Sequence, residues 1–551
     1  MNRNTTSRFD TNPTNLDISR STFHRNSSVK TSFNVGDIIP FYVDEVLPGD
    51  TFNVNTSKVV RLQTLLAPVM DNIYLDTYYF FVPNRLVWEH WKQFNGENTA
   101  SAWTQTVEYE VPQITAPAST GFAVGTIADY MGIPTGVPLL SVNALPFRAY
   151  ALVCNEWFRD QNLQQPFNIP ITDSTVVGVN TGNFVSDVAK GGLPFIASKY
   201  RDYFTSCLPA PQKGPDVSIA LSGDLSVFGN GKSLGISDGT TSGGMYLTAA
   251  QSAPYFNGGA YDKTLGATPS AGTNLVQNKA LGIVTTGESG LVADLSGASA
   301  ISINALRMAF QMQKLYEKDA RGGTRYVEII KAHFGVTSPD ARQQRPEYLG
   351  GNRLPININQ VVQMAPDSTS PLGDTAAYSL TTDAHSDFTK SFTEHGFVLG
   401  LMVARYDHTY QQGLERFWSR KDRFDFYWPV FANIGEQAVK NKEIFATATS
   451  TDDEVFGYQE AWADYRYKPN RVSGEMRSTY ATSLDVWHLG DKYASLPVLS
   501  DAWIREDKTN VNRCLAVQST VSNQLFADLY VTNKTTRPMP MHSIPGLIDH
   551  H

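Results

Sequence analysis

Cysteine is scarce in this chain: Cys154, Cys207 and Cys514 are the only three in 551 residues. An odd number at such spacings builds neither a disulfide framework nor a zinc site, and a reducing compartment fits. Long apolar runs are missing as well. The longest, residues 397–404 (FVLGLMVA), is far short of the roughly 20 residues that cross a bilayer, and residues 1–10 (MNRNTTSRFD) hold no apolar signal core. No membrane insertion and no standard secretion signal are expected. Charge is sparse, at 18% of residues with a formal net charge of −8, so the chain as a whole lacks the basic footprint of a dedicated nucleic-acid-binding domain. The last deficit is local. No arginine lies between Arg201 and Arg307, and residues 214–300 are rich in Gly, Ser, Ala and Thr but poor in large apolar groups. Such a stretch buries too little surface to offset its ordering entropy, so it is expected to lean on a scaffold or a neighbouring subunit.

Aromatic residues are what the chain has in quantity. With 25 Tyr and 29 Phe, it suits extended strands and broad protein–protein contacts, and an oligomer is expected. Residues 38–43 run into the turn Pro48-Gly49-Asp50, and residues 73–82 are bulky on both alternating faces, which predicts a strand covered on both sides. Further strands are predicted at 397–406, 423–430, 485–489 and 523–532.

Helices are expected in the connections. One follows Asn84, with Val87, Trp91 and Phe94 on one face and Gly96 as its stop. Another has Pro146 in its first turn and Phe147, Tyr150, Cys154, Trp157 and Phe158 at helical spacing, before Pro166. A third runs behind Ser302 through Leu306, Phe310 and Leu315 to Gly322-Gly323, and a fourth from Thr324 to Gly335. Their apolar stripes read as core packing. Short strands with long helix-bearing excursions are the pattern of a Greek-key sandwich with elaborated loops. A small β domain followed by a mixed domain after residue 300 is the alternative partition.

No catalytic motif survives inspection. Gly231-Lys232-Ser233 contains the end of a phosphate-binding loop, but the motif needs a glycine where Ser226 stands, and no hydrophobic strand leads into it. Asp383, His385 and Asp387 could surround a divalent ion if their segment curled, although such clusters are usually polar turns. His395, His408 and His488 lack zinc-hydrolase spacing, and no GxSxG elbow occurs. No enzyme activity, metal or cofactor is expected. A glycosidase of tailspike type needs no sequence-local motif, but nothing selects its two acids.

Two segments carry binding expectations. Within residues 1–30, Arg3, Arg8, Arg20, Arg25 and Lys30 face only Asp10 and Asp17, which reads as a solvated tail or as an arm that lies on phosphate. Residues 465–471 (YRYKPNR) interleave rings with cations. Tyr465, Arg466, Tyr467 and Arg471 are therefore candidates for a subunit interface, with a single-stranded nucleic-acid platform and plain sheet packing as alternatives.

Long strings then become diagnostic. Residues 20–23 (RSTF), 43–52 (VDEVLPGDTF), 78–88 (YYFFVPNRLVW), 155–160 (NEWFRD) and 199–214 (KYRDYFTSCLPAPQKG) resemble the major capsid protein of gokushoviruses, in the Microviridae. So do residues 319–326 (DARGGTRY), 333–351 (HFGVTSPDARQQRPEYLGG), 390–397 (KSFTEHGF), 409–413 (TYQQG) and 456–470 (FGYQEAWADYRYKPN). The matches are in order and extend from residue 20 to about 490. The resemblance implies a mainly β fold, an eight-stranded viral jelly-roll sandwich with long helix-containing loops. It implies a T=1 shell of sixty copies enclosing a circular single-stranded DNA genome, with a small basic DNA-packaging protein, a DNA pilot protein and a bacterial surface receptor as partners.

On this reading residues 1–30 are a basic internal arm, 31–213 and 302–551 are two parts of the jelly-roll core, and 214–301 is a variable insertion. The insertion would form protrusions at the three-fold axes used in host attachment, with Tyr246, Tyr255, Phe256 and Tyr261 as candidates for three-fold or receptor contact. A tailspike-like or carbohydrate-binding β protein is the competing reading, and it predicts trimers with glycan affinity and no shells.

Overall fold

A computed structural model describes residues 19–97, 107–217, 226–229, 235–237, 242–244, 282–283, 291–294, 303–323, 325–336, 344–365 and 372–542. Residues 1–213 and 316–551 form one compact unit, and residues 214–315 form a second.

The first unit is built on two antiparallel sheets. In one, β1 (Ser21–His24) and β2 (Ser27–Phe33) both pair with β10 (Leu525–Arg537), which lies beside β4 (Thr51–Leu62), with β8 (Thr381–Ser391) beyond. In the other, β6 (Glu347–Gly350) and β7 (Arg353–Pro355) pair with β5 (Ile73–Pro83), followed by β9 (Gly396–Tyr406) and β3 (Ile39–Val46). The chain is mainly β.

Side-chain alternation explains which face each sheet buries. Along β4, Phe52, Val54, Thr56, Val60 and Leu62 point inward while Ser57, Val59 and Arg61 face outward. β10 alternates the same way, with Leu525, Leu529 and Val531 inside and Phe526, Asp528 and Tyr530 outside. A sheet with one wet face needs this period of two. β5 and β9 lack it, being buried along nearly their whole length. One face of this pair joins the core between the sheets through Leu75, Tyr79, Phe81, Val398 and Met402. The opposite face, with Phe80, Val82, Leu399 and Val403, packs on Phe147 and Tyr150 of α1 (Leu145–Val153). Both-sided cover of β5 is thus as expected. Phe392 joins the sheets, its ring 5.4 Å from Phe52 and 4.7 Å from Phe81. Burying one such ring is worth about 1.5–3 kcal/mol.

Several connections differ from expectation. The helix after Asn84 divides into short turns, Asn84–Leu86 and Trp91–Phe94. α1 continues as a wider turn, Cys154–Phe158, and the helical stretch ends there, ahead of Pro166. Residues 423–430 and 485–489 are not strands but single turns at Arg423–Asp425, Pro429–Phe431 and Asp485–Trp487. The Asp425 carboxylate accepts from the Lys421 and Asp422 amides and curls that segment, while Pro429 has no N–H to give a ladder. α2 (Ile303–Gly322) and α3 (Tyr326–Phe334) form as predicted, and Gly335 stops α3 at φ +71°. Yet Leu306, Phe310 and Leu315, read as core, are 40%, 59% and 49% exposed.

In the second unit, Ser226–Gly229 pairs with Leu291–Asp294, and Gly235–Ser237 pairs with Ser242–Gly244 and Gly282–Ile283. Tyr246, Tyr255, Phe256 and Tyr261 lie outside the described residues, as do Arg3, Arg8 and the Gly231-Lys232-Ser233 string.

Candidate assembly surface

The long connection from β9 to β10 carries a group of exposed aromatic side chains. Its base is an apolar cluster of Tyr203, Phe204, Tyr410, Val439, Ile444, Phe456 and Trp503. Tyr467 lies on this base, its ring stacked on Tyr203 at 5.1 Å and 10°. Outside it sit Tyr465, with the Arg420 guanidinium 4.2 Å over its ring, and Phe417, with the Lys468 ammonium 5.3 Å from its centre. The Tyr465 hydroxyl accepts from the Tyr427 amide at 3.2 Å, tying residues 465–471 to residues 415–431.

The cations of this surface are held by carboxylates. Arg420 pairs with Asp464, and Arg466 with Glu460 at 2.6 Å. Glu415 takes both Lys468, at 2.6 Å, and Arg471. Desolvation acts to raise the Glu415 carboxyl, but hydrogen bonds from Lys468 and Arg471 outweigh it and hold it below the usual range. The structure therefore brings Tyr465, Arg466, Tyr467 and Arg471 into one surface. It adds what sequence reasoning missed: Phe417, Trp418, Phe424, Phe426, Tyr427 and Trp428 are all exposed, Trp418 by 65% and Phe424 by 62%. A groove of about 590 Å³ runs among Phe417, Trp418, Arg420, Tyr465, Tyr467 and Arg471. Rings and guanidinium groups at the centre, with paired charges around them, are the composition of a protein–protein interface. The signal was present in residues 417–431 (FWSRKDRFDFYWPVF), seven of whose fifteen residues are aromatic.

The candidate phosphate contacts are placed differently. Arg20 donates to the Gly49 carbonyl at 2.9 Å. Arg25 makes a bidentate pair with Asp44 at 2.6 and 2.7 Å, and Lys30 lies 3.6 Å from Asp528 on a neighbouring strand. Residues 21–33 thus take part in the first sheet rather than trailing from it.

Other titratable candidates are absorbed structurally. Asp383, His385 and Asp387 lie along strand β8, and among the described residues no group of three or more His, Cys, Asp or Glu gathers to hold a metal. Glu394 pairs with Arg85, and His395 packs edge-on to Trp91. All three cysteines are buried and free, and burial raises each thiol, that of Cys514 to about 12. No helix among the described residues is long and apolar enough to cross a membrane.

Comparison with known proteins agrees with a structural role. The family model described as capsid protein (F protein) matches residues 11–547. The capsid protein VP1 of Chlamydia phage 1 is 42% identical, covering 98% of this chain and 97% of the relative. VP1 of Spiroplasma virus 4 is 44% identical with 96% of each covered, and VP1 of Bdellovibrio phage phiMH2K is 43% identical with 96% and 95% covered. With near-complete coverage on both sides, the chain belongs to the capsid protein (F protein) family, in the gokushovirus group of the Microviridae, and is a structural protein of the virion capsid.

Proposed function

We propose that sixty copies of this chain close into a T=1 icosahedral shell around a circular single-stranded DNA genome, and that the aromatic surface at residues 415–431 and 465–471 is one of the contacts that closes it. The observation that carries this reading is the exposure of that surface in a protein whose family is built to self-associate. Many modest contacts, each satisfied only in the closed particle, sum to a stable shell. The sandwich is read as an eight-stranded jelly roll with helix-bearing loops. In support, counting β1 with β2 and β6 with β7 as single positions, successive strands alternate between the sheets at every step but the one from β5 to β6.

Residues 1–18, including Arg3 and Arg8, are assigned to the genome side, where a small basic packaging protein and a DNA pilot protein would share the interior. Arg20, Arg25 and Lys30 are weaker candidates for that task, because each already has an acceptor in the chain.

Electron microscopy of the purified protein is expected to show closed shells, with nuclease-protected single-stranded DNA in particles made during infection. Trimers with glycan affinity and no shells would overturn the reading. The double variant Trp418→Glu, Phe424→Glu is expected to abolish shells while the unassembled chain melts within about 0.5 kcal/mol of the parent, since both rings are exposed. Shells at parental yield would remove this surface from the contacts.

The insertion, residues 214–301, is proposed to build the three-fold protrusions that meet the host receptor, with Tyr246, Tyr255, Phe256 and Tyr261 among the contacts. Its described strands pair with one another. Replacing residues 224–295 with a short Gly/Ser linker is therefore expected to leave a foldable chain and to abolish adsorption to host cells. A variant that no longer folds would show the segment to be part of the core instead.

A further inference from the structure

A lysine interrupts the apolar inward row of β4. Lys58 follows Phe52, Val54 and Thr56 on that face, and its side chain is 0% exposed. Its cross-strand partner on β8 is Asp383, whose carboxylate oxygen Oδ2 lies 3.3 Å from the lysine Nζ. An ion pair alone would account for two charges. It does not account for what the opposite sheet places on them.

The turn between β6 and β7 brings Asn352 to the same point. Its amide oxygen Oδ1 accepts from Lys58 Nζ and also, at 2.9 Å, from the Thr77 hydroxyl of β5. Its amide nitrogen Nδ2 donates at 2.8 Å to the same Asp383 Oδ2. The approach requires glycine at two positions. A Cβ at Gly351, where φ is +144°, would collide with the Thr77 carbonyl, and one at Gly350 with the Asp387 carbonyl.

The four groups have the parts of an acyl-transfer site. An amine and an amide carbonyl are in contact, a carboxylate touches both the attacking and the departing nitrogen, and a hydroxyl points at the oxygen that would gain charge. We propose that Lys58 and Asn352 become joined by an isopeptide bond, with Asp383 carrying the proton and Thr77 stabilising the oxyanion.

The step is balanced. Asp383 takes a proton from the lysine ammonium, and the freed lone pair forms a bond to the Asn352 Cγ. The carbonyl electrons move onto Oδ1, where the Thr77 hydroxyl donates to them. Asp383 passes the proton to Nδ2, the electrons on Oδ1 re-form the carbonyl as the Cγ–Nδ2 bond breaks, and the nitrogen leaves as ammonia. The former lysine nitrogen, which still carries two hydrogens, gives one of them through Asp383 to that ammonia, which departs as ammonium. The secondary amide keeps a single N–H, so no oxidant, reductant or cofactor is needed. The local electrostatics suit these roles. Burial lowers the Lys58 ammonium against the opposing pull of Asp383 and Asp387, favouring the free amine. Desolvation would raise the Asp383 carboxyl, but hydrogen bonds and charge from Asn352 and Lys58 keep it below the usual range, so it starts as a base. The product is a covalent tie from β4 in one sheet to the β6–β7 turn of the other.

Intact-mass measurement of the denatured full-length chain, from unassembled protein and from particles, tests this without any variant. The expected mass is lower than that encoded by one ammonia. Proteolysis should give a branched peptide joining Lys58 to Asn352, with no trypsin cleavage after Lys58. Lys58→Met and Asn352→Ala are expected to show their full encoded masses, and Asp383→Asn to accumulate unjoined chain. An unmodified parental mass with ordinary linear peptides spanning both residues would overturn the proposal, as would conversion of Asn352 to aspartate. The readout is a mass on the chain itself, so its failure would leave the shell reading untouched, and the reverse also holds.

Discussion

Replacing Asp76 with alanine is expected to cost the unassembled chain about 3–5 kcal/mol, because it leaves two guanidinium groups facing a site built for an anion. Asp76 sits on β5 with only 2% of its side chain exposed. Arg353 Nε lies 2.7 Å from it, Arg405 Nη2 2.6 Å and the Tyr200 hydroxyl 2.8 Å, from β7, β9 and the loop after α1 respectively. Both guanidinium groups also lie 4.3 Å from the Tyr200 ring, so the ring and the carboxylate together organise the cluster. Burial alone would raise this carboxyl. The hydrogen bonds and charges of Arg353, Arg405 and Tyr200 outweigh it and hold it below the usual range. A carboxylate lowered in the folded state contributes stability above its unfolded value, about 3.9, and that contribution is lost as pH falls further. Urea unfolding of the Asp76→Ala variant at neutral pH is the direct measurement. A loss below about 1 kcal/mol would show that the cluster relaxes without its anion. Arg353→Ala should cost much less, since that side chain is 52% exposed.

The second large effect concerns His408, just past the end of β9. Its Nδ1 lies 2.9 Å from Asp491 and its Nε2 2.8 Å from Glu506, with side chains of all three residues almost wholly buried. Lys199 adds a cation 3.8 Å from Asp491, while Tyr493 and Asn510 donate to the same carboxylate at 2.8 and 2.6 Å. Two carboxylates and one lysine balance only if the imidazole is charged. Burial would lower its value, but Asp491 and Glu506 raise it to about 10. A raised imidazole contributes stability that is complete below its unfolded value, about 6.5, and that disappears as pH climbs through the folded value. Asp491 behaves oppositely. Against the effect of burial, His408 and Lys199 hold it at about 2, so its contribution is lost in acid.

The contribution of this cluster should therefore be greatest between about pH 4 and 6.5 and weaken steadily toward pH 10. His408→Gln is expected to cost about 3–5 kcal/mol at pH 6 and to show no further decline between pH 6.5 and 10. A parental profile flat across that interval would mean that the imidazole is neutral in the folded state.

Much of the framework was legible in the residues. β5 and β9 were readable because both faces of each are apolar, a pattern that only a doubly covered strand can use. α2 and α3 were readable from helical spacing broken by Gly322-Gly323 and by Gly335; Gly323 and Gly335 take the left-handed backbone that favours glycine. The candidate assembly surface was half legible. Rings interleaved with cations marked residues 465–471, but Phe424, Phe426, Trp428 and Val430 imitate a strand, since period-two alternation occurs in any extended segment whether or not a partner edge exists. The partners decide: Asp425 curls its own neighbours, and Pro429 offers no donor. The apolar residues of α2 were misread for a related reason. A stripe shows that a helix has something to bury, without showing that the same chain supplies the cover.

By itself the sequence determined the family, the predominance of β structure, the place of a Gly-, Ser-, Ala- and Thr-rich segment between two motif-rich ones and the absence of catalytic motifs. These rest on local order along the chain and on long strings whose chance agreement is negligible. Only the tertiary structure decided that residues 21–33 join a sheet, that Arg25 is taken by Asp44, that residues 415–431 present their rings to solvent, and that Lys58, Thr77, Asn352 and Asp383 converge. Each of these depends on pairing between segments tens to hundreds of residues apart, and sequence spacing carries no record of which distant groups a fold will bring within a few ångströms.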